Sequence, residues 1–406
     1  MQIISKKGVK IYREYYIDME IVSTGLPKTV KIPTAYGGES VIWQKTVGDS
    51  VKKFEVIATL KNNIPVYSTC SGIFKEILLG PDMKDISGMQ YAVIETKEDD
   101  TPLAPMWNTD FAETKSGLTD IILKAAIVEE TTKKYLYEII NNDIEYVTLI
   151  IDAVDDQPYD LAKTAVLEAY KNEVIGGAKI FANAFGVKNI ELLLIKNFKT
   201  EHMIKNGVEG IKPIIVKGKY PFSPVIKQFA MKQKGIVIGT QALRAVYRAA
   251  VFGEPQLSSV VTVWGNGVQK PANLEVLNGT TVDFMLSSCE ASGVLERVVG
   301  GGIMRGYVAS PSLPLFRGDS ALTVMPLKKH NKLVDCINCG RCADVCPMGL
   351  APYYITRSSK KSGNLRAKQL CADLCIDCGA CAYNCPARIS LNEKIRLFKK
   401  ERGALK

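Results

Sequence analysis

Two cysteine runs near the C-terminus constrain this 406-residue chain more than any other feature. Each run has the spacing C-x2-C-x2-C-x3-C and is followed directly by a proline, which is the bacterial ferredoxin spacing for [4Fe–4S] clusters. In a fold with two such clusters, the fourth cysteine of each run binds the cluster of the other run. We therefore predict two [4Fe–4S] clusters with exchanged fourth ligands. The predicted ligand sets are Cys336, Cys339, Cys342 and Cys385 for the first cluster, and Cys375, Cys378, Cys381 and Cys346 for the second.

Two other uses of cysteine fit this pattern less well. A structural zinc ion takes four ligands, usually as two separated pairs, and it explains neither the third cysteine of each run nor the repeated proline. Disulfide frameworks are typical of small secreted proteins, whereas this long chain begins without the apolar stretch of a secretory signal. The runs therefore indicate a protein that moves electrons one at a time.

Composition narrows the classes of partner. The formal net charge is +10, but the basic residues occur along the whole chain and no nucleic-acid motif is recognisable, so a nucleic-acid role is not predicted. No apolar run is long enough to span a bilayer. We expect a cytoplasmic protein whose partners are redox proteins, namely a reductase that accepts electrons and a donor that the sequence does not identify.

The pattern along the chain predicts a multidomain α/β protein. Short strands and tight turns in residues 1–110 are typical of a lipoyl/biotinyl-like β-sandwich, also called a barrel-sandwich hybrid. Strands alternate with helical stretches in residues 111–255, which indicates a Rossmann-like α/β domain with a parallel sheet. Residues 256–330 are predicted to form a β-grasp domain of the SLBB-like kind, and residues 331–406 a ferredoxin-like domain with both clusters.

These pieces, in this order, resemble the RnfC family. The most specific piece is the run from Cys339 to Leu350, and shorter ones are Val47-Gly48-Asp49, Lys219-Tyr220-Pro221 and the glycine-rich stretch from Gly300 to Gly306. The resemblance implies a peripheral iron–sulfur subunit of a membrane-bound Rnf complex, related to the flavin-binding subunit of respiratory complex I. It also implies peripheral association with a membrane, if the chain works as an Rnf subunit does.

The chain departs from the family where a flavin and a nicotinamide would bind. The family has a glycine-rich loop of the form GxGGAGFPT, but the corresponding residues 125–135 contain no glycine and include Glu129 and Glu130. A backbone that carries side chains and carboxylates cannot approach a phosphate closely. We therefore predict that the chain binds no FMN and oxidises no NADH. The stretch from Gly300 to Gly306 is interpreted as a tight turn, since it lacks the strand and helix that flank a phosphate-binding loop.

This combination favours the branch of the proline-reductase-associated electron carrier (PrdC-like). The predicted function is a relay of single electrons through two [4Fe–4S] clusters to a partner reductase, with proline reductase as the candidate acceptor. The chain would then be an electron-transfer component of an oxidoreductase system. The alternatives are an NAD(P)H-dependent flavin or cobalamin reductase subunit, and a subunit of an Rnf complex.

Cys70 has two interpretations. It lies in the predicted turn Ser68–Gly72, where it is either a small apolar residue of the sandwich core or a redox-active thiol. A reactive thiol needs a nearby positive charge or a helix N-terminus. Cys70 is therefore the candidate catalytic residue outside the cysteine runs, with core packing as the alternative.

Overall fold

The computed structural model describes the chain except residues 12–16, 36–40, 61–62, 83–84, 98–101, 104–106, 108, 111, 142, 198, 292–296, 326–333, 362–367 and 404–406. The described residues form a mixed α/β architecture of several sheets, followed by a C-terminal region of short helices. The strands are β1 (Gln2–Ser5), β2 (Ile21–Ser23), β3 (Thr29–Ala35), β4 (Val41–Trp43), β5 (Ser50–Val51), β6 (Val56–Leu60), β7 (Pro65–Tyr67), β8 (Gly72–Asp82), β9 (Asp85–Thr96), β10 (Val128–Glu129), β11 (Lys134–Tyr135), β12 (Thr148–Ala153), β13 (Asn189–Ile195), β14 (Ile214–Gly218), β15 (Gly235–Gly239), β16 (Ser258–Gly265), β17 (Ala272–Leu277), β18 (Arg297–Gly300), β19 (Tyr307–Val308) and β20 (Ala321–Met325). The helices are α1 (Lys115–Lys124), α2 (Leu136–Ile139), α3 (Ala162–Ala169), α4 (Lys171–Phe185), α5 (Glu201–Asn206), α6 (Ser223–Lys232), α7 (Thr240–Phe252), α8 (Val282–Ser288), α9 (Arg341–Asp344), α10 (Pro352–Lys361), α11 (Ala380–Tyr383) and α12 (Leu391–Gly403).

Two antiparallel sheets make up most of the N-terminal part. One has the strand order β3-β9-β8-β5 and the other has the order β4-β6-β7. Alternate side chains of their strands share one apolar core, to which Val30, Ile57, Phe74 and Ile94 contribute. This period-two burial is the reason that the short apolar runs of the sequence form strands with one face inward.

A five-stranded parallel sheet is the centre of the molecule. Its order is β1-β14-β13-β12-β15, and neighbouring strands are parallel throughout. Ile151 and Leu192 point to a core shared with α1, α3, α4 and α7, whereas Ile150 and Leu193 point to a core shared with α6. Because helices cover both faces, the strands are apolar on both sides. The chain runs outward from β12 to β14 and then returns to the other side of β12 with β15, so the topological switch point lies between β12 and β15.

The third sheet is six-stranded, with the order β19-β18-β20-β16-β17-β2. β16 pairs antiparallel with β17 and parallel with β20, and α8 packs on the sheet through Val282, Met285 and Leu286. The strand pairings of β1 and β2 depart from the predicted border of a sandwich at residues 1–110. β1 adds to the parallel sheet beside β14, and β2 pairs with β17. Both strands are short edge strands whose partners lie far away in sequence, and local pattern does not specify such pairing.

The C-terminal region carries the two cysteine runs between short helices. α9 and α11 each begin one residue before the third cysteine of a run, and α10 packs against α12. Ile355, Ile395 and Phe398 form the small apolar core of this region together with Cys346. No helix among the described residues has both the length and the apolar character that crossing a membrane requires.

Candidate iron–sulfur site and central cavity

The two cysteine loops have the same backbone conformation. Asn338 and Asp377, the second residues after Cys336 and Cys375, have φ angles of 54° and 50°. Gly340 and Gly379, which follow the second cysteine of each run, have φ angles of 75° and 76°. Left-handed conformations are available to glycine and are tolerated best by Asn and Asp among other residues. These residue types therefore let each loop curl tightly and turn its cysteines toward one point.

The cysteines of the first predicted set surround one cavity. A cavity of about 80 Å³ is lined by Cys336, Cys339, Cys342 and Cys385, and by Tyr353 and Tyr354 of α10. Cys385 comes from the second run, so the fourth cysteine crosses over to the first loop. Among the described residues, no group of three or more His, Cys, Asp or Glu side chains converges closely enough to hold a single metal ion. Four sulfurs spaced around a cavity fit a multi-iron cluster, which is far larger than one ion.

The cysteines of the second predicted set are close enough to influence one another's ionisation. Burial raises the pKa of Cys378 to about 11, and the Cys375 and Cys346 thiols add to this increase. Burial raises the pKa of Cys381 too, with further contributions from Cys378, Cys375 and Cys346. Cys346, from the first run, therefore lies with three cysteines of the second run. Such thiols are protonated on their own, and a bound metal removes their protons.

Backbone amides point at several of the sulfurs. The amide of Asn338 donates to Cys336 Sγ at 3.4 Å, and the amide of Leu350 donates to Cys346 Sγ at 3.3 Å. Hydrogen bonds to cluster sulfurs raise reduction potentials because they stabilise the more negative reduced state. Both donors come from positions that repeat the ferredoxin spacing, so the loops supply ligands and amide donors together.

The surroundings of the two loops differ. Tyr220 is buried and donates its hydroxyl hydrogen to the carbonyl oxygen of Cys378 at 2.7 Å. A Cβ on Gly379 would lie 1.9 Å from the carbonyl oxygen of Met304, so the second loop is packed directly against the body of the protein. A Cβ on Gly340 would meet nothing within 4 Å.

A second, larger cavity of about 420 Å³ lies at the C-terminal end of β12 and extends along α6. Its volume is within the range of small-molecule sites, and it is next to the topological switch point, where open α/β sheets bind ligands. Glu129, Glu130, Asp152, Asp155 and Lys163 are among the residues that line it. This cavity includes the residues of the loop 125–135 that departs from the family pattern.

Carboxylates of the chain itself cap both helices that begin at this cavity. Glu130 accepts from the amides of Gln241 at 2.8 Å and Ala242 at 3.2 Å, at the start of α7. Asp155 accepts from the amides of Lys163 at 3.0 Å and Thr164 at 3.3 Å, at the start of α3. Helix N-termini are favourable places for anions because their amides are unpaired and the helix dipole is positive there. Both positions are thus filled by side chains.

One buried lysine neutralises part of this acidic cluster. Lys163 Nζ donates to Asp152 Oδ2 at 2.5 Å and to Thr131 Oγ1 at 2.7 Å. Burial by itself would lower the pKa of Lys163, but Asp152, Glu130 and Glu129 outweigh it and the pKa is raised. Burial raises the pKa of Glu130 to about 7, and burial together with Asp160 raises the pKa of Asp155 to about 8.

The glycine-rich stretch forms a tight turn beside the same cavity. Gly301 and Gly302 have φ angles of 76° and 91°, and a Cβ on Gly302 would lie 2.4 Å from the side chain of Gln157. Gln157 in turn donates to the hydroxyl oxygen of Tyr220 at 3.1 Å and accepts from the amide of Met304 at 3.2 Å. This chain of hydrogen bonds joins a wall of the cavity to the second cysteine loop. Sequence reasoning did not assign these roles to Gln157, Tyr220 or Lys163, because the contacts join segments that are far apart in the chain.

Cys70 is fully buried in the core between the two N-terminal sheets. The hydroxyl of Ser68 donates to its backbone oxygen at 2.6 Å, which fixes the turn. Cys70 precedes the strand β8, not a helix, so no helix N-terminus supports a thiolate there. These observations favour the packing interpretation, and the redox-thiol hypothesis stays a prediction.

Comparisons with known proteins agree with the cysteine pattern. Residues 335–389 match the family model of the 4Fe-4S dicluster domain. The RnfC-type subunit of the ion-translocating oxidoreductase complex of Rhodobacter capsulatus is 30% identical over 232 residues, which make up 51% of this chain and 44% of that protein. The subunit of the same name from Vibrio cholerae is 26% identical over 378 residues, which make up 84% of this chain and 48% of that protein.

The chain spans just under half of the length of these two relatives. Among solved structures, an NAD+-reducing [NiFe]-hydrogenase in the H2-reduced state has a TM-score of 0.44 and 11% identity, over 72% of this chain and 62% of that chain. That similarity is too low to support an inference. A closer relationship to the proline-reductase-associated branch stays a prediction. The two cysteine loops and the related subunits together identify the chain as an RnfC-like protein with a C-terminal 4Fe-4S dicluster domain.

Proposed function

We propose that the chain relays single electrons through two [4Fe–4S] clusters between protein partners. The observation that carries this proposal is the arrangement of eight cysteines in two sets, each composed of three residues from one run and one from the other. When bound, each cluster supplies a centre that gains or loses one electron. The residues of the chain provide the thiolates, the amide donors and the packing that exclude water from the second set.

The first cluster is assigned to Cys336, Cys339, Cys342 and Cys385. The second cluster is assigned to Cys375, Cys378, Cys381 and Cys346. The shared cavity of the first set and the mutual influence of the second set support this exchange of fourth ligands.

The relay works without FMN and without oxidation of NADH by this chain. The support is at the central cavity, where Glu130 occupies the start of α7 and Asp155 the start of α3. A phosphate group would have to displace a carboxylate that already uses those amides, and it would meet like charge from Glu129 and Asp152.

The proposed organisation has four parts with distinct roles. The two N-terminal sheets are a lipoyl/biotinyl-like sandwich and the parallel sheet is a Rossmann-like domain. The sheet with the order β19-β18-β20-β16-β17 is a β-grasp domain, a proposal supported by its parallel central pair β16 and β20 and by α8 on one face. These parts position the cluster domain and dock the chain into a larger assembly.

The partners follow from the relatives and from the predicted chemistry. The relatives are named as subunits of ion-translocating oxidoreductase complexes, which supports membership in a multi-subunit oxidoreductase and, for a chain that works as they do, peripheral association with a membrane. The acceptor that we propose from the sequence is a reductase in the cytoplasm, with proline reductase as the candidate. The second candidate function is a subunit of an Rnf complex, which the same similarity favours.

Anaerobic reduction followed by visible absorption tests the proposal. NADH added to the reconstituted protein, with FMN present, should leave both clusters oxidised, whereas dithionite should bleach the broad cluster absorption. Rapid bleaching by NADH would contradict the proposal and support a flavin-dependent reductase. A protein that assembles no iron–sulfur chromophore would contradict the relay itself.

A further inference from the structure

The two cluster loops differ in exposure, although their sequences and backbones match. Cys339 is exposed, while Cys378, at the same place in the second run, is buried. Gly340 faces open space, whereas Gly379 abuts the carbonyl oxygen of Met304. Electron transfer between proteins weakens steeply with distance, so the exposed loop is the better place for exchange with another protein.

Large apolar side chains surround the exposed loop. Ile337 lies inside the first run and is 65% exposed, and Tyr354 lines the cavity of the first set and is 59% exposed. Tyr383 is 62% exposed and precedes Asn384, whose side-chain amide donates to the backbone oxygen of Arg341 at 3.4 Å. The three side chains are thus neighbours around one loop. Single exposed apolar residues are common, but a group of them marks an interaction surface, and tyrosine is enriched in such surfaces.

Arginines border this apolar group. Arg341 lies between two cysteines of the first set, Arg388 is three residues after Cys385, and Arg357 is one helical turn after Tyr354. All three are exposed, and within the described part of the chain none of them has an ion-pair partner among the salt bridges found. Asp335 and Asp344 are also exposed nearby and offset part of this charge.

The charge of the whole region has the same sign. Residues 335–406 contain 13 Lys and Arg but only 6 Asp and Glu, which leaves +7 of the chain's formal net charge of +10. Basic residues do occur along the whole chain, but their surplus over acidic residues is concentrated in this region. A surface of this sign attracts an acidic partner over several ångströms and repels a second copy of this chain.

We propose that the first cluster loop is the electron port of the chain and docks a redox protein with an acidic rim around an exposed one-electron centre. The docking surface, which we call the port surface, consists of Ile337, Tyr354, Tyr383, Arg341, Arg357 and Arg388. In the exchange one electron passes between the partner's centre and the first cluster, so one is oxidised and the other reduced, and no bond forms or breaks. The second cluster is the internal one, held against the body of the protein. This proposal rests on the two-cluster relay proposed above.

The port surface can be tested with a surrogate partner. Wild-type protein carrying both clusters is mixed anaerobically in a stopped-flow instrument with a reduced plant-type [2Fe–2S] ferredoxin, which is small and acidic. The second-order rate of electron exchange is measured at low and at high ionic strength. The same ferredoxin with its surface carboxylates amidated serves as the partner of reversed charge, and we expect it to exchange more slowly.

The variants separate charge from apolar contact. Arg341→Glu should slow the exchange roughly tenfold at low ionic strength, and high salt should shrink this difference by screening. Tyr354→Glu should slow it at both ionic strengths, because it interrupts apolar contact. The matched controls are Lys179→Glu on α4 and Leu79→Glu on β8, which are exposed positions outside the cluster domain and should exchange at the wild-type rate.

Each outcome decides the proposal. Wild-type rates in the port variants, or equal slowing in the two controls, would overturn the port surface, and equal rates with the amidated ferredoxin would overturn the acidic partner. Dithionite reduction and electron paramagnetic resonance of the same samples report whether both clusters are present. If Arg341→Glu lacks a cluster, Arg357→Glu, which is remote from the ligands in sequence, provides the charge test. Absence of clusters in the wild type would instead contradict the proposed function.

Discussion

The cysteine cavity and the central cavity are both built where a cofactor could bind, but the chain completes them in opposite ways. In the cysteine cavity, four sulfurs and their amide donors surround a space of about 80 Å³ that only another group can fill. In the central cavity of about 420 Å³, the carboxylates of Glu130 and Asp155 already take the helix amides that an anionic ligand would need. The first site depends on a cofactor, and the second satisfies its own polar groups.

The comparison teaches that the location of a cavity in a fold does not decide what binds there. The central cavity has the volume and the position at the sheet of a nucleotide site. Its chemistry is that of a buried ion network in which Lys163 offsets Asp152 and Glu130. We therefore infer function from the groups that face each cavity.

The largest expected effect comes from removing a cluster ligand. Cys346→Ala should lower the iron content from about eight to about four atoms per chain, since one four-iron cluster is lost. Cys346→Ala and Cys375→Ala should leave the same remaining electron paramagnetic resonance signal. Cys385→Ala and Cys336→Ala should both leave the other signal, and Cys371→Ala, at an exposed cysteine outside the runs, should keep both.

The pairing of these signals breaks or sharpens the ligand assignment. If Cys346→Ala leaves the signal that Cys336→Ala leaves, each run closes its own cluster. In that case the exchanged fourth ligands would be wrong, although the two-cluster relay would stand.

A smaller effect is expected at the ion network of the central cavity. Lys163→Met removes the cation from buried carboxylates and should lower the free energy of unfolding by about 3–5 kcal/mol. The matched control is Lys270→Met, which removes an exposed ion pair with Glu290 and should cost at most about 1 kcal/mol. Urea unfolding followed by far-ultraviolet circular dichroism compares the two. Equal small effects would show that the network is not a structural feature and would reopen the cavity to a ligand role.

Tyr220 joins the two regions, and its hydroxyl should tune one cluster only. The hydroxyl dipole points its positive end at the carbonyl of Cys378, which favours the more negative reduced cluster. Tyr220→Phe should therefore lower the potential of the second cluster by about 20–60 mV, which converts a hydrogen bond of about 0.5–1.5 kcal/mol. Tyr67→Phe is the matched control, because Tyr67 donates to the Lys124 carbonyl at the same 2.7 Å in the N-terminal sheets. A potentiometric titration that shows both clusters shifted, or neither, would contradict this coupling.

The smallest effect on electron transfer is expected at Cys70. Its burial predicts slow alkylation in the native protein, while the exposed Cys371 should react first. Cys70→Ala should cost about 1–2 kcal/mol of stability through lost packing and leave the rate of cluster reduction unchanged. Fast alkylation of Cys70 at neutral pH, or a slower relay in the variant, would restore the redox-thiol hypothesis.

Local sequence pattern was enough for the features that depend on neighbouring residues. The cysteine spacing predicted the loops, and the apolar run from Ile190 to Ile195 predicted β13 (Asn189–Ile195) almost to its ends. The stretch from Leu161 to Phe185 was predicted as helical, and the structure divides it into α3 and α4 at Tyr170, whose φ and ψ are −123° and 35°.

Features that depend on distant residues could not be predicted in this way. β1 (Gln2–Ser5) pairs with β14 more than two hundred residues later, and no local pattern chooses that partner. The departure of residues 125–135 from the family pattern was visible in the sequence, but the use of Glu130 as a helix cap needed the position of α7. The different exposure of the two matched loops comes from the packing of Gly379 against Met304.

The most direct test of the account is the cofactor content of the protein after anaerobic reconstitution with iron, sulfide and FMN. The account predicts about eight iron and eight sulfide per chain, with no flavin retained after gel filtration. About four of each, zinc in place of iron, or one tightly held FMN per chain would contradict it.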